Sequence, residues 1–299
     1  MGRITELAKI NEKLTNLNPS IVAEYYVSPE GNNSQDGKTL GKAFLTVEKG
    51  INVLNNLPSD FGVALWIAPG TYIERSGILL ETDLNIVSGI NGIPGSINII
   101  GSGTSGELTS ADSNLLTIQG RKNLVKGLTM FCNSPNWSSL SCLDKDGGGG
   151  YGGQNTIEYC NFFYGISTAR QKYGIGLVGS KKVVVRKCSF NGINTAGILI
   201  IENVESPTDI IIEECNFVGT QRGIIVENDN FNTVIRKNWF SAGSRTDEAM
   251  ANAIEIKVSM TAGKLTAYKN NFEQSSINAI LDNKAGGSIF VYGDNEYGA

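Results

Sequence analysis

Acid–base chemistry in this sequence has to rest on carboxylates, lysines, arginines and tyrosines, because none of its 299 residues is histidine. That excludes Ser–His–Asp triads, Cys–His pairs and histidine-based zinc sites. Glu227, Glu255 and Asp282 lie within three similar apolar segments, "GIIVE", "AIEIK" and "AILDN". Two carboxylates roughly 5–10 Å apart are what glycosidases use. Lys257 is expected level with Glu227, however, which favours an ion pair over a catalytic pair.

The five cysteines are the other reactive side chains. They are odd in number and contain no Cys-x-x-Cys pair, which indicates reduced thiols without a disulfide framework or zinc site. Cys215 lies in "DIIIEECNFVG" (209–219), directly after two glutamates. With no histidine to activate a thiol, protonated and inert cysteines are predicted.

Two irregular segments are candidate binding loops. In "LDKDGGGGYGGQN" (143–155), Asp144 and Asp146 offer oxygen ligands, but the spacing of a calcium loop and the lysine of a P-loop are missing. In "NSPNWSS" (133–139), Trp137 is suited to stacking on a sugar or anchoring a partner. Ordinary surface loops are the favoured interpretation of both, so neither a metal ion nor a cofactor is predicted.

The elements that position these residues are revealed by an internal repeat of irregular length. Its copies read "NTIEYCNFFYG" (155–165), "VVVRKCSFNG" (183–192), "IIIEECNFVG" (210–219), "TVIRKNWFSAG" (233–243), "LTAYKNNFEQ" (265–274) and, more weakly, "FVYGDNEYG" (290–298). Each copy has an apolar period of two and β-branched residues, and all but the last are followed by a second short apolar strand. Repeats of this kind, 20–30 residues long, are typical of a β-solenoid.

Aligned copies place identical residues in columns. One column contains Cys160, Cys188, Cys215, Asn238, Asn270 and Asn295, and another contains Phe162, Phe190, Phe217, Phe240, Phe272 and Tyr297. In-register parallel strands stack like on like. The sequence therefore predicts an all-β protein, a parallel β-helix of about eight or nine coils with these columns pointing inward.

Charges alternate along the outward positions of the same strands. Glu158, Arg186, Glu213 and Arg236 follow one another, with Lys187, Glu214 and Lys237 beside them. Opposite charges on neighbouring strands stabilise a sheet, whereas like charges destabilise it. The glutamates are therefore predicted to be ladder residues, not catalytic ones.

The second strand of each coil carries outward aliphatic residues. Alternation predicts an exposed stripe of Leu199, Ile201, Ile225 and Leu281. Such a stripe favours contact with another subunit, because sugar-binding surfaces are normally polar and aromatic.

The segment "AEYYVSPEGNNSQDGKTLGKAFLTVEKGINVLNN…VALWIAPGTYIE" (23–74) carries a family resemblance. It resembles the N-terminal entry of right-handed parallel β-helix proteins of the pectin-lyase-like type, which include phage tailspike and virion proteins. The shared elements are "YYVSPEGNNSQDG", an amphipathic helix near 42–57 and "IAPGTYIE". The resemblance implies the fold over residues 23–299 with a capping helix. It leaves function open, because the fold carries lyases, hydrolases, epimerases and structural proteins.

Residues 1–20 form a separate predicted unit, with residues 21–299 as one β-helix domain. Its apolar residues follow a helical seam: Ile4, Leu7, Ile10, Leu14 and Leu17. The seam suits an anchor or a trimer stem, and the alternative is a helix folded back on the solenoid. The segment lacks the apolar core of a secretory signal.

Three functional hypotheses follow. The first is a bacteriophage virion protein, a homotrimeric head fibre, capsid decoration or short tail spike that binds capsid or tail proteins through its N-terminus. It would be made in the host cytoplasm and located in the virion. The alternative is a polysaccharide lyase or hydrolase using Glu227, Glu255 or Asp282, and the third is a non-catalytic adhesin for a host-surface glycan. The net charge of −4 argues against nucleic-acid and membrane partners.

Overall fold

The computed structural model describes residues 21–58, 62–90, 95–101, 114–132, 138–144, 153–164, 172–203, 205–243, 250–257, 262–273, 278–283, 289–293 and 295–297. The predicted helix of residues 1–20 lies outside these ranges, as do Trp137 and Asp146.

The chain winds into a parallel β-helix with three sheets, A, B and C, of ten, nine and eight strands. Sheet A contains Ile21–Val27, Gly62–Ile67, Asn85–Gly89, Leu124–Lys126, Thr156–Glu158, Val184–Arg186, Ile211–Glu213, Asn230–Arg236, Gly263–Tyr268 and Ile289–Gly293. Sheet B contains Gly70–Glu74, Ile97–Gly101, Thr129–Cys132, Asn161–Tyr164, Ser189–Asn191, Asn216–Val218, Trp239–Ser241, Asn271–Phe272 and Glu296–Tyr297. Sheet C contains Ile78–Leu80, Leu116–Ile118, Ser138–Leu143, Tyr173–Val178, Ala196–Ile201, Arg222–Val226, Asn252–Ile256 and Asn278–Asp282. Each strand pairs in parallel with its equivalent one coil away, which confirms the predicted solenoid.

An inward ladder of phenylalanines runs along sheet B. Phe162, Phe190, Phe217, Phe240 and Phe272 stack with ring centroids 5.0, 4.7, 4.8 and 5.3 Å apart. All five are buried. The spacing matches the strand separation of about 4.8 Å, so strand pairing and ring stacking stabilise one another.

The column before the phenylalanines changes from thiol to amide along the solenoid. The backbone N–H of Cys215 donates to Oδ1 of Asn238 at 2.9 Å, and that of Asn238 donates to Oδ1 of Asn270 at 3.0 Å. Asn270 repeats the bond to Asn295.

Burial raises the pKa of Cys142 to about 12 and also raises the pKa values of Cys160 and Cys188. These thiols are therefore protonated, as predicted.

A left-handed residue forms the corner between sheets A and B. Tyr159, Lys187, Glu214, Lys237 and Lys269 have φ angles of 53–55°. Such angles are uncommon outside glycine, and here the inward hydrogen bonds of the next residue hold them. The corner turns each of these side chains outward, beside sheet A.

The open end of the solenoid is covered by a helix at Val47–Asn55, preceded by a 3-10 turn at Leu40–Lys42. The helix begins later than the predicted residue 42 because Thr46 caps it, accepting a hydrogen bond from the Lys49 N–H at 3.2 Å. The Glu74 carboxylate accepts from the Val47 N–H at 2.7 Å. Within the described ranges, no helix is long and apolar enough to cross a membrane.

Candidate functional site

The outward side of sheet C, face C, carries the residues predicted to do acid–base chemistry. Ile225 pairs with Glu255, and Glu255 with Leu281, so these three residues form one column across successive coils. Glu227 directly follows the strand Arg222–Val226 and lies level with Ile201 and Lys257 on the neighbouring strands.

The apolar stripe predicted on face C is not exposed along its length, and that expectation is corrected. Leu199 and Ile225 are only 7 % and 2 % exposed. Together with Ala196 they form a cluster against which Tyr173 and Ile201 pack. Ile201 and Leu281 are partly exposed. Neighbouring side chains therefore cover the middle of the stripe within a single chain.

Glu255 is held as a carboxylate by two cations. Its Oε1 lies 2.5 Å from Lys257 Nζ, and its Oε2 accepts from Arg222 Nε and from Asn252. Burial alone would raise the pKa of Glu255, but the hydrogen bonds and charges of Lys257 and Arg222 outweigh it and keep the pKa below its usual range. A carboxylate bound in this way is a poor general acid.

The three predicted carboxylates lie on, or directly after, neighbouring strands of sheet C. Glu227 is half-buried. The pKa of the Tyr173 hydroxyl is raised, first by the burial of Tyr173 and second by the negative charge of Glu227. Asp282 is exposed and pairs in register with Ile256, next to the pair of Glu255 and Leu281. In the part of the chain that the structure describes, no cluster of three or more cysteines or carboxylates suits a metal ion.

The outward side of sheet A, face A, carries the predicted ladder of alternating charges. Lys126 Nζ lies 3.1 Å from Glu158 Oε1, and Arg186 Nη2 lies 2.5 Å from Glu158 Oε2. Arg236 lies 2.6 Å from Glu213. At the corner, Lys187 and Lys237 lie 3.8 and 3.5 Å from Glu214. The prediction that these glutamates are ladder residues is confirmed.

The ladder predicts a dependence of stability on pH. Burial would raise the pKa of Glu158, but the hydrogen bonds and charges of Arg186 and Lys126 outweigh it and lower the pKa. A folded-state pKa below the unfolded value of about 4.3 gives stability that is present above that pH and lost as pH falls through the folded pKa. We expect Glu158→Gln to melt below the wild type at neutral pH and the difference to shrink below about pH 4. Thermal melts across this range test it, with the exposed Glu30→Gln as a control that shows no such pH-dependent difference.

Cations outnumber carboxylates on face A and at its corners, in a protein whose net charge is −4. The cations are Lys122, Lys126, Lys182, Arg186, Lys187, Arg236, Lys237, Lys264 and Lys269. The carboxylates among the described residues are Glu24, Glu158, Asp209, Glu213 and Glu214. This face therefore favours anionic ligands.

A cavity of about 450 Å³ lies where the ladder meets the first coils. Trp66, Ser88 and Lys126 are in register on successive strands of sheet A. The cavity is lined by these three residues, Gly89, Tyr159 and the apolar side chains Ile86, Ile90 and Leu124. Concave sites with aromatic walls and a few polar groups are typical ligand sites.

Tyr159 is fixed in this cavity by two lysines. Its hydroxyl accepts a hydrogen bond from Lys187 Nζ at 2.9 Å, and Lys187 and Lys126 lie 5.1 and 5.3 Å from its ring centroid. Its left-handed backbone turns the ring toward face A. The cavity thus combines a fixed aromatic wall with the Lys126 ammonium group.

Comparisons with known proteins bear on the fold. No family model matches the chain, and no curated protein matches it in sequence. A rhamnogalacturonan lyase matches in structure with a TM-score of 0.52 and 16 % identity, over 90 % of this chain and 72 % of that one. A pectin methylesterase from carrot matches with a TM-score of 0.55 and 12 % identity, over 93 % and 84 %. XylC in complex with xylose matches with a TM-score of 0.50 and 9 % identity, over 84 % and 68 %.

The chain has the pectin-lyase-like fold, a right-handed parallel β-helix. At such low identity the comparison is evidence for the fold alone. The pectin-lyase-like part of the predicted resemblance is confirmed, whereas the phage type stays a proposal.

Proposed function

We propose that this protein binds an acidic polysaccharide on face A and acts as an adhesive β-helix without catalysing a reaction. The observation that carries the proposal is the cavity lined by Trp66, Tyr159 and Lys126 on a face rich in cations. The fold neighbours support a carbohydrate ligand only broadly: two are named as a lyase and an esterase of plant polysaccharides, and one was solved with xylose.

The chemistry of the cavity suits a sugar acid. The face of an aromatic ring carries partial negative charge and attracts the axial C–H groups of a pyranose, so Trp66 and Tyr159 offer stacking surfaces. A uronate carboxylate would pair with Lys126, while Ser88 offers a hydroxyl to the sugar. Further sugars of the chain would follow the corner lysines Lys187 and Lys237.

The state of the glutamates supports binding without catalysis. Glu158 and Glu255 each contact two cations, and the pKa of each is lowered. Neither is suited to donate a proton near neutral pH. A polysaccharide lyase or hydrolase remains the alternative, in which Glu227 or Asp282 is better suited than Glu255 to act as the acid. Release of reducing ends or unsaturated sugars from acidic polysaccharides would establish that alternative.

The biological setting we propose is a virion. A rigid solenoid with an amphipathic segment at residues 1–20 suits a homotrimeric head fibre, capsid decoration or tail spike that presents face A to a host glycan. Light scattering at the mass of three chains would support this setting. Removal of residues 1–20 is expected to leave a folded solenoid that no longer joins particles.

The binding proposal is tested by Trp66→Ala. Loss of a stacking surface in a partly enclosed cavity is expected to weaken binding of polygalacturonate about tenfold, since aromatic stacking contributes roughly 1–3 kcal/mol in comparable sites. Isothermal titration at low salt measures it, with Trp239→Ala, on another face, as the matched control. Equal affinities of wild type and Trp66→Ala would contradict the proposal.

A further inference from the structure

The outward side of sheet B, face B, differs from the other two faces in having no charge along most of the part that the structure describes. One outward column contains Thr71, Asn98, Thr129, Asn161, Ser189, Asn216, Trp239 and Asn271. The second contains Ile73, Ile100, Phe131, Phe163, Asn191, Val218 and Ser241. None of these residues is ionisable, but in the next coil Glu296 pairs with Asn271 and the exposed Glu273 follows Ser241. Face B therefore offers amides, hydroxyls and aromatic rings without an electrostatic preference for anions.

Trp239 is the most prominent feature of this face. Its side chain is 45 % exposed, which is unusual for so large an apolar group and has no role in the core. It lies in register between Asn216 and Asn271 on the neighbouring strands, both exposed. An indole surface is thus flanked on each side, about 4.8 Å away, by a primary amide.

The amides of face B are available to a ligand. The inward Asn238 and Asn270 use their amides in hydrogen bonds to the backbone and to the next asparagine. By contrast, the side chains of Asn161, Asn216 and Asn271 make no hydrogen bond to any residue that the structure describes. Each amide can both donate and accept, which matches sugar hydroxyls.

A second aromatic surface lies on the same face, closer to the first coils. Phe131 and Phe163 stack at 5.6 Å on successive strands, and both are partly exposed. The polar column connects them to Trp239 through Ser189 and Asn216. A polymer lying along the solenoid axis would meet one polar side chain per coil between the two aromatic surfaces.

We propose that face B is a second carbohydrate site, which takes a neutral glycan and is centred on Trp239, Asn216 and Asn271. A pyranose ring stacks on the indole, and its hydroxyls exchange hydrogen bonds with the two amides. Neutral sugars are favoured because the site's described residues include no cation to pair with a carboxylate, while Glu273 and Glu296 lie beside Asn271. The inference goes beyond acidic-glycan binding on face A and does not depend on it.

The experiment titrates wild-type protein and variants with cellohexaose and mannohexaose as neutral probes and polygalacturonate as the acidic probe. Trp239→Ala is expected to weaken binding of at least one neutral probe about tenfold, and Asn216→Ala about threefold to tenfold. Both substitutions lie at exposed positions, so the fold is expected to persist, and thermal melts verify this. Leu45→Ala, an exposed apolar residue that belongs to neither proposed site, is the control and is expected to leave neutral binding unchanged.

Three results would overturn the inference. The first is that wild-type protein binds neither neutral probe, and the second is that Trp239→Ala and Asn216→Ala bind as the wild type does. The third is that Trp239→Ala turns an oligomer into a monomer, which would assign face B to a second copy of the chain. If polygalacturonate still binds in any of these cases, the proposal for face A is unaffected. The proposals for face A and face B can therefore be rejected independently of one another.

Discussion

Replacing Phe217 with alanine is expected to lower the free energy of unfolding by about 3–5 kcal/mol, the range for large-to-small changes of buried aromatic residues. Phe217 is fully buried and stacks on Phe190 at 4.7 Å and on Phe240 at 4.8 Å. The substitution leaves a cavity in the middle of the ladder and removes two ring contacts at once. The surrounding coils cannot close that cavity, because backbone pairing with the strands on both sides fixes their spacing.

Equilibrium denaturation in urea measures the effect, and Phe163→Ala is the matched control. Phe163 also stacks on a phenylalanine, Phe131, but its ring lies on the outward side and is partly exposed. Its loss should cost at most about 1.5 kcal/mol, the stacking contribution without a buried cavity. Similar losses for Phe217→Ala and Phe163→Ala would show that the inward ladder is not what holds the coils together.

The ladder is also the reason that the fold could be predicted from sequence. Each coil must put the same kind of side chain at the same inward position, so Phe190, Phe217 and Phe240 recur with Cys188, Cys215 and Asn238 two residues before them. Strand register follows directly from this alignment. The charge ladder could be predicted for the same reason, since Arg186, Glu213 and Arg236 each lie two residues before the inward Cys or Asn of their coil.

Exposure on face C could not be predicted in the same way. Alternation correctly placed Leu199 and Ile225 outward, but whether an outward side chain meets water depends on its neighbours. Tyr173 and Ile201 pack against these residues. Sequence alternation does not predict which neighbouring residues a large side chain will cover.

The cavity on face A was missed because it joins the regular copies to the irregular first coils. Trp66, Ser88 and Lys126 share one column, yet the strands that carry them are separated by loops of unequal length. Tyr159 reaches the cavity only because its φ angle is left-handed, which a tyrosine rarely adopts. A signal was present, since Tyr159 occupies the same corner position as Lys187, Glu214 and Lys237.

Replacing Asn238 with alanine is the second large effect, with an expected loss of about 2–4 kcal/mol. The Asn238 amide accepts from the Cys215 N–H at 2.9 Å, and it donates to the Ile212 carbonyl and to Asn270 Oδ1, both at 3.1 Å. Alanine would leave these three buried polar groups without that partner, away from water. Unsatisfied buried groups cost more than the hydrogen bonds contribute, so the loss should exceed that of an ordinary polar-to-alanine change.

Asn238→Cys is the matched variant, because cysteine occupies this column in the three preceding coils. The Cys215 thiol donates to the Val185 carbonyl at 3.8 Å, as the Asn238 amide donates to the Ile212 carbonyl, so a thiol at position 238 can replace part of the amide's role. We expect Asn238→Cys to lose about half as much stability as Asn238→Ala in the same urea titrations. Equal losses would contradict this expectation, because they would show that neither the hydrogen bonds nor the volume of the thiol substitutes for the amide of Asn238.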